Sequence, residues 1–349
     1  MHIPGEIVLD PWLYPIALAS HARENGAKIF TSFPFDPASS TFDHETKLWT
    51  IPKPNTNSDS NDGDDNNNNN NNNANPAILS KSIINAAGIQ SDLIHLQTKD
   101  IPEPSWEAKP RRGQYRIFAR KEPHLLNTNT PSSLQHPIQP VPTQRTKGIF
   151  VFSSLYNQII VGPTALDQES RTDIAPDDKV ALELTKHARR ILSASVEHDN
   201  NDDDKNKNTR NEEKESKRND NKDNDITSSY QYVGEYVGIR PGTNHRDYQI
   251  HFLPEKRWIS AAGIRSTGLT ASLGIGSYVT NLLQTVVPTP SSSSTCLDTH
   301  KKKKLTPLPD IEILADMYRN SKDGFVDVNG YTYKVTHPVT KLGWTYSKK

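Results

Sequence analysis

Residues 258–276, W-I-S-A-A-G-I-R-S-T-G-L-T-A-S-L-G-I-G, combine residue types that let a backbone approach a large anionic or planar ligand. A short apolar run leads into a turn holding Gly263, Ile264, Arg265, Thr267 and Gly268. The turn opens a segment rich in small residues that starts with Leu269 and Thr270. Glycine places no side chain in the way and tolerates unusual dihedrals. A helix beginning there would present free N–H groups and the positive end of its dipole, with Thr267 and Thr270 available to cap it and donate hydrogen bonds. The G-x-G-x-x-G turn that commonly opens such a site occurs nowhere in the 349 residues.

Three further pieces carry polar chemistry. Arg240, in G-I-R-P-G-T, follows a Tyr/Val/Gly run and precedes Pro241, which keeps it extended. The planar fork of an arginine suits a carboxylate or phosphate, although an arginine at a strand end also reads as a surface residue. His245, five residues on, is of a residue type that can accept a proton; a loop histidine of this kind is more often merely exposed. Asn85, Ala86 and Gly88, in I-N-A-A-G, form a strand-to-turn exit, and Tyr115, in R-R-G-Q-Y, sits in an alternating strand where core packing is the plain reading.

Composition excludes several classes. Forty-one basic residues balance 41 acidic ones, so no global charge points to nucleic acid or a membrane surface. The four lysines at 301–304 lie in a Ser/Pro linker without interleaved aromatics and read as solvated. A single cysteine, Cys296, excludes an internal disulfide and a multi-cysteine metal site. No cluster has metal-ligand spacing, so no metal is expected, and no G-x-S-x-G nucleophile turn occurs. No apolar run reaches the roughly 18 residues of a membrane span. The start, M-H-I-P-G-E, has no signal-peptide pattern. These features lead us to expect a soluble protein of a reducing compartment, cytoplasmic or mitochondrial.

The elements that must position these residues are legible in the pattern. Asp10 suits an N-cap, Pro11 a first helical position and Gly26 a C-terminal stop around a helix whose Leu13, Ile16, Ala17 and Ser20 share a face. Pro15 should bend that helix near its start. A strand is expected directly after it, at 27–35, a helix-to-strand unit being the usual crossover between parallel strands. Further strands are expected at 44–51, 81–88, 111–118, 148–152, 158–162, 230–239 and 247–252. Helices are expected at 176–196, 267–285 and 311–319. Asn329-Gly330 marks a hairpin between 325–328 and 331–335. Mean hydropathy is low, −0.74, because biased polar segments at 55–75, 126–146, 198–225 and 288–308 interrupt the pattern; tracts of this kind are expected to be disordered.

Taken in order, I-N-A-A-G-I-Q-S-D at 84–92, R-R-G-Q-Y at 111–115, G-I-R-P-G-T at 238–243 and A-G-I-R-S-T-G at 262–268 resemble the FAD-dependent oxidoreductases of the D-amino-acid oxidase superfamily. The nearest branch is the glycerol-3-phosphate dehydrogenase and L-2-hydroxyglutarate oxidase group. D-P-W at 10–12, G-P-T at 162–164 and V-T-H-P-V-T-K-L-G-W at 335–344 fit it too. The resemblance implies a fold of α/β plus α+β class: an incomplete Rossmann-like FAD-binding domain interleaved with a mixed or antiparallel-sheet substrate domain. The first would comprise 1–54, 76–100 and 256–287, the second 101–255, with a 288–309 linker and a C-terminal helix and hairpin at 310–349. The family opens with a strand, the G-x-G-x-x-G turn and a helix that hold the ADP part of FAD, so well over a hundred residues would be missing before Met1.

By resemblance, Asn85, Ala86 and Gly88 pack against the pyrophosphate, and Gly263, Ile264, Arg265, Thr267, Gly268, Leu269 and Thr270 meet the flavin. Arg240 holds the substrate anion, with Arg265 and Tyr115 as further substrate contacts and His245 as candidate base. The implied reaction passes hydride from a small anionic hydroxy compound, a 2-hydroxy acid or glycerol 3-phosphate type, to flavin; the electron acceptor stays open. The competing expectation is a non-catalytic remnant or truncated fragment of such an enzyme, unable to hold FAD alone.

Overall fold

A computed structural model describes residues 7–53, 77–121, 134, 136–141, 148–199, 226, 229–287 and 306–346. The tract at 55–75, most of the 126–146 segment, residues 200–225, Cys296 and the lysines at 301–304 lie outside them. The chain begins with α1 (Leu13–Glu24), β1 (Thr41–Asp43), β2 (Leu48–Ile51), β3 (Ile78–Ser80) and β4 (Ile83–Asn85). Then come α2 (Ser91–Gln97), β5 (Ala108–Arg120), β6 (Phe150–Ser153), β7 (Ile159–Gly162), β8 (Leu166–Asp167) and α3 (Asp178–Asp199). The second half holds β9 (Tyr230–Thr243), β10 (Gln249–Leu253), β11 (Trp258–Ala262) and α4 (Gly268–Gln284). It closes with α5 (Ile311–Asn320), β12 (Phe325–Val328), β13 (Tyr331–Lys334) and α6 (Pro338–Tyr346).

The largest sheet is built on β5, which pairs antiparallel with β9 along its whole length on one side and with β7 and β8 on the other; β6 follows β7. Alternation decides its two faces. Gln114, Arg116 and Phe118 point to α3: Arg116 donates to Thr185 Oγ1 at 2.6 Å, and Phe118 joins Val151, Val161, Leu184 and Ala188 in one core. Asp177 starts α3, its Oδ1 accepting the N–H groups of Lys179 and Val180 at 2.8 and 3.0 Å. Tyr115, Ile117 and Ile160 point the other way, to Val339 and Leu342 of α6.

A second sheet pairs β10 antiparallel and β4 parallel with β11. Trp258 of β11 packs on Trp49 and Phe42 of the β1–β2–β3 meander. A third core joins α1 to the C-terminal unit: Trp12 and Leu13 meet Leu314, Ala315, Val326, Val328, Val335 and Trp344. In the β12–β13 hairpin, Asn329 and Gly330 both adopt positive φ, 53° and 80°, as a two-residue turn of matching twist requires.

One expected element fails. Residues 27–35 form no strand. Ser32 takes φ of 57° and breaks the extended run, Pro34 lacks an N–H for a ladder, and Phe30 is 63% exposed with no partner strand beside it among the described residues. The expected strand at 44–51 shrinks to β2, since Lys47 has positive φ and Asp43 Oδ1 accepts the Glu45 N–H to make a turn. The structure adds α2 and α6, which the pattern did not announce.

Candidate functional site

Strands β5 and β9 set the floor of a cavity of about 400 Å³. Register places Tyr115 opposite Tyr236, Gly113 opposite Gly238 and Arg111 opposite Arg240. The tyrosine rings stack at 4.7 Å with 7° between their planes. The Arg240 guanidinium lies over Gly113, where a Cβ would sit 2.3 Å from Arg240 Nη2, while a Cβ on Gly238 would meet nothing. Arg240 donates through Nη2 to the carbonyl of Thr164. Among the described residues it has no carboxylate partner. Burial, partly offset by the neighbouring Tyr115 hydroxyl and reinforced by the like charge of Arg111, holds its pKa below the usual arginine value. A half-buried guanidinium without a counter-ion is a cation prepared for an anion from outside.

The opposite wall comes from both ends of the chain. Leu9, Asp10 and Pro11 precede α1, and His337 and Val339 lie at the start of α6. Asp10 ties these pieces together. Its Oδ1 accepts the N–H groups of Trp12 and Leu13 at 2.8 and 2.7 Å, and its Oδ2 accepts the hydroxyls of Tyr156 and Thr340, both at 2.8 Å. Burial and the Asp10 carboxylate together push the Tyr156 hydroxyl far above its ordinary value, so it stays a donor. The His337 ring stands edge-on to Tyr236 at 5.1 Å, and burial lowers its pKa despite Asp10 nearby.

The glycine turn packs against the end of β9, beyond the residues that line the cavity. A Cβ on Gly263 would come within 3.2 Å of Thr243, the last residue of β9. Tyr14 of α1 also bonds Ser272 of α4, Oη to Oγ, at 2.7 Å. Gly263 takes φ of 66° and Gly268 begins α4. The expected cap by Thr267 is corrected: Thr267 sits left-handed at 59°, and its hydroxyl bonds the Ser266 carbonyl and the Tyr248 hydroxyl, at 2.5 and 2.6 Å. Thr270 is exposed and makes no such bond either. The first turn of α4 therefore has no side-chain cap and no acidic residue. Ile264 and Arg265 are half-buried and Leu269 is exposed; the backbone N–H of Arg265 donates to the Gly263 carbonyl at 2.9 Å, and the Leu269 carbonyl accepts the Ser272 hydroxyl at 2.8 Å.

Asn85 does not face this cavity. Its amide donates to the Ser91 carbonyl at 2.7 Å and its oxygen accepts the Ala87 N–H at 3.3 Å, shaping the turn that exposes Ala86 and gives Gly88 a φ of 58°. His245 lies past the end of β9, exposed, with Nε2 on the Ser105 carbonyl at 3.0 Å, and is not part of the cavity wall. The structure thus brings Arg240 and Tyr115 together and adds Tyr236, His337, Asp10, Gly113 and Gly238. Tyr236 shares the strand parity of Arg240, a signal present in the sequence; His337 precedes a proline suited to a first helical position, the only local sign of its element. Among the described residues no three metal-ligating side chains cluster, and no helix is long and apolar enough to cross a membrane.

This mixed α/β architecture is similar to that of FAD-dependent oxidoreductases. The FAD-bound, dithionite-reduced L-α-glycerophosphate oxidase of Mycoplasma pneumoniae superposes with a TM-score of 0.50 at 22% identity, over 76% of this chain and 54% of that one. The chain belongs to the DAO family of FAD-dependent oxidoreductases, whose family model matches residues 1–282. It is 25% identical over 283 residues to a glycerol 3-phosphate dehydrogenase of Caloramator mitchellensis, covering 80% of this chain and 44% of that protein. It is 28% identical over 199 residues to a glycerol 3-phosphate oxidase of Mycoplasma pneumoniae, covering 57% and 42%. The chain therefore spans less than half the length of these two relatives. FAD is the cofactor of the family.

Proposed function

We propose that the chain carries the substrate side of an FAD-dependent oxidoreductase acting on a small anionic hydroxy compound, of glycerol 3-phosphate or 2-hydroxy-acid type. The observation behind this reading is the half-buried Arg240 guanidinium, without a carboxylate partner among the described residues, in a cavity of about 400 Å³. That volume suits a small ligand. Arg240 binds the phosphate or carboxylate; the stacked Tyr115 and Tyr236 rings flank the carbon chain and exclude water. Arg265 and the start of α4, with Gly263, Ile264, Thr267, Gly268, Leu269 and Thr270, are the residues that would hold the flavin ring, and the turn from the buried Asn85 through the exposed Ala86 to Gly88 would lie along its pyrophosphate. FAD, when bound, supplies the hydride acceptor for oxidation of the substrate C–H bond. The exposed His245 remains a candidate base only for a substrate extending past the end of β9.

The test is anaerobic bleaching of the flavin band by sn-glycerol 3-phosphate in the full chain supplied with FAD. Arg240→Ala should raise the substrate concentration needed by about 10- to 100-fold, the loss of a charge-assisted hydrogen-bond pair, while flavin retention stays near that of the parent. Equal losses of bleaching and flavin retention, or no change in either, would overturn the assignment.

A further inference from the structure

The family match ends at residue 282, but the cavity wall does not: His337 and Val339 belong to the C-terminal unit. Among the side chains that line the cavity, only Arg240 and His337 carry nitrogen donors. The Nδ1 atom of His337 accepts the Val339 N–H at 3.2 Å. In a neutral imidazole, an accepting Nδ1 leaves the proton on Nε2. Among the described residues that Nε2–H has no partner. The ring is held edge-on against Tyr236, with 72° between the planes, and Tyr236 stacks on Tyr115, which in turn feels the Arg240 charge. The other polar groups of the same wall are used internally: both Asp10 oxygens accept two hydrogen bonds each, and the Tyr156 hydroxyl donates to one of them.

We propose that His337 is a second substrate-binding residue, its Nε2–H donating to another oxygen of the compound whose anionic group Arg240 holds. The C-terminal unit would then select for substrates with an oxygen placed away from the anion. This rests on the substrate-site reading given above, and the experiment separates the two.

Binding of sn-glycerol 3-phosphate to the full chain is measured by titration calorimetry for the parent, Arg240→Ala, His337→Asn and His337→Gln. Asparagine keeps a short acceptor for the Val339 N–H but lacks a donor at the Nε2 position, and should bind about tenfold more weakly or worse. Glutamine places its amide nitrogen near Nε2 and should stay within about threefold of the parent, as expected for one hydrogen bond to a charged ligand. Parent-like binding by His337→Asn, or equal weakening in both His337 variants, would overturn the role of His337. Absent binding by the parent, or parent-like binding by Arg240→Ala, would instead overturn the underlying reading. Thermal melting of each variant shows whether the fold has been kept.

Discussion

Two facing glycines shape the site more than any catalytic-looking residue does. A side chain at Gly113 would displace the Arg240 guanidinium and crowd Pro163 and the Thr164 carbonyl, whereas Gly238 opens onto empty space. The pair therefore separates folding from binding. Gly238→Leu should leave the melting transition within the equivalent of about 1 kcal/mol, since nothing is displaced and a strand accepts leucine. It should abolish binding of sn-glycerol 3-phosphate by filling the cavity, which calorimetry would read directly. Arg240 was legible from its G-I-R-P setting; the glycines opposite one another were not, because their meaning lies in the pairing of β5 with β9. Simple alternation along β9 shows the same limit at Tyr232. Tyr232 packs with Phe118 on the α3 face while Tyr236 faces the cavity, although both positions are even-numbered. A register shift at Ile117/Phe118 reverses the parity between them, and alternation alone assumes a strand without bulges.

Among the elements, α1 depends most on distant partners. Asp10 reads from sequence as a local helix start, and it does bond the first turn through Oδ1. Its other oxygen holds Tyr156, which precedes β7, and Thr340 in α6. Asp10→Ala would free four donors at a buried position and should destabilise the chain by about 2–4 kcal/mol, a cap plus two hydrogen bonds to a charge. Denaturant melts would measure this, and a loss below about 1 kcal/mol would mean the three elements are joined by the Trp12–Trp344 core alone. The strands of the large sheet were legible because β-branched and aromatic residues cluster there. The 27–35 strand was misread: its apolar residues suited a strand, yet pairing needs a neighbour, and no local pattern supplies one. Helix α6 went unseen because its burial is spread over Val339, Thr340, Gly343 and Trp344, which mixes polar and small residues into the packed face.

The whole molecule holds a sheet between α3 on one face and the C-terminal unit with α1 on the other, leaving the cavity where the second face is not filled. Burial lowers the pKa of His95, His187, His251 and His337, and in each case burial is the leading cause. An unfolded histidine titrates near 6.5, so below about pH 6.5 the unfolded chain binds more protons than the folded one. Stability contributed by these neutral rings should be complete above that pH and fall as pH drops through the lowered folded values. Melting temperatures measured from pH 7.5 down to about 5 should decrease steadily; a flat profile would mean the rings are protonated without cost.

The family was legible in the sequence itself, and so were the glycine turn at Gly263–Gly268 and the G-I-R-P setting of Arg240, proposed to meet the flavin and the substrate anion, because each motif depends on residue types within a few positions of one another. Which residues stand around Arg240 was decided only by tertiary structure. His337, Asp10 and Tyr115 come from three separated parts of the chain, and a cavity exists only where packed elements fail to meet. Pattern and propensity describe what each segment buries. They do not specify where two buried faces leave a space between them.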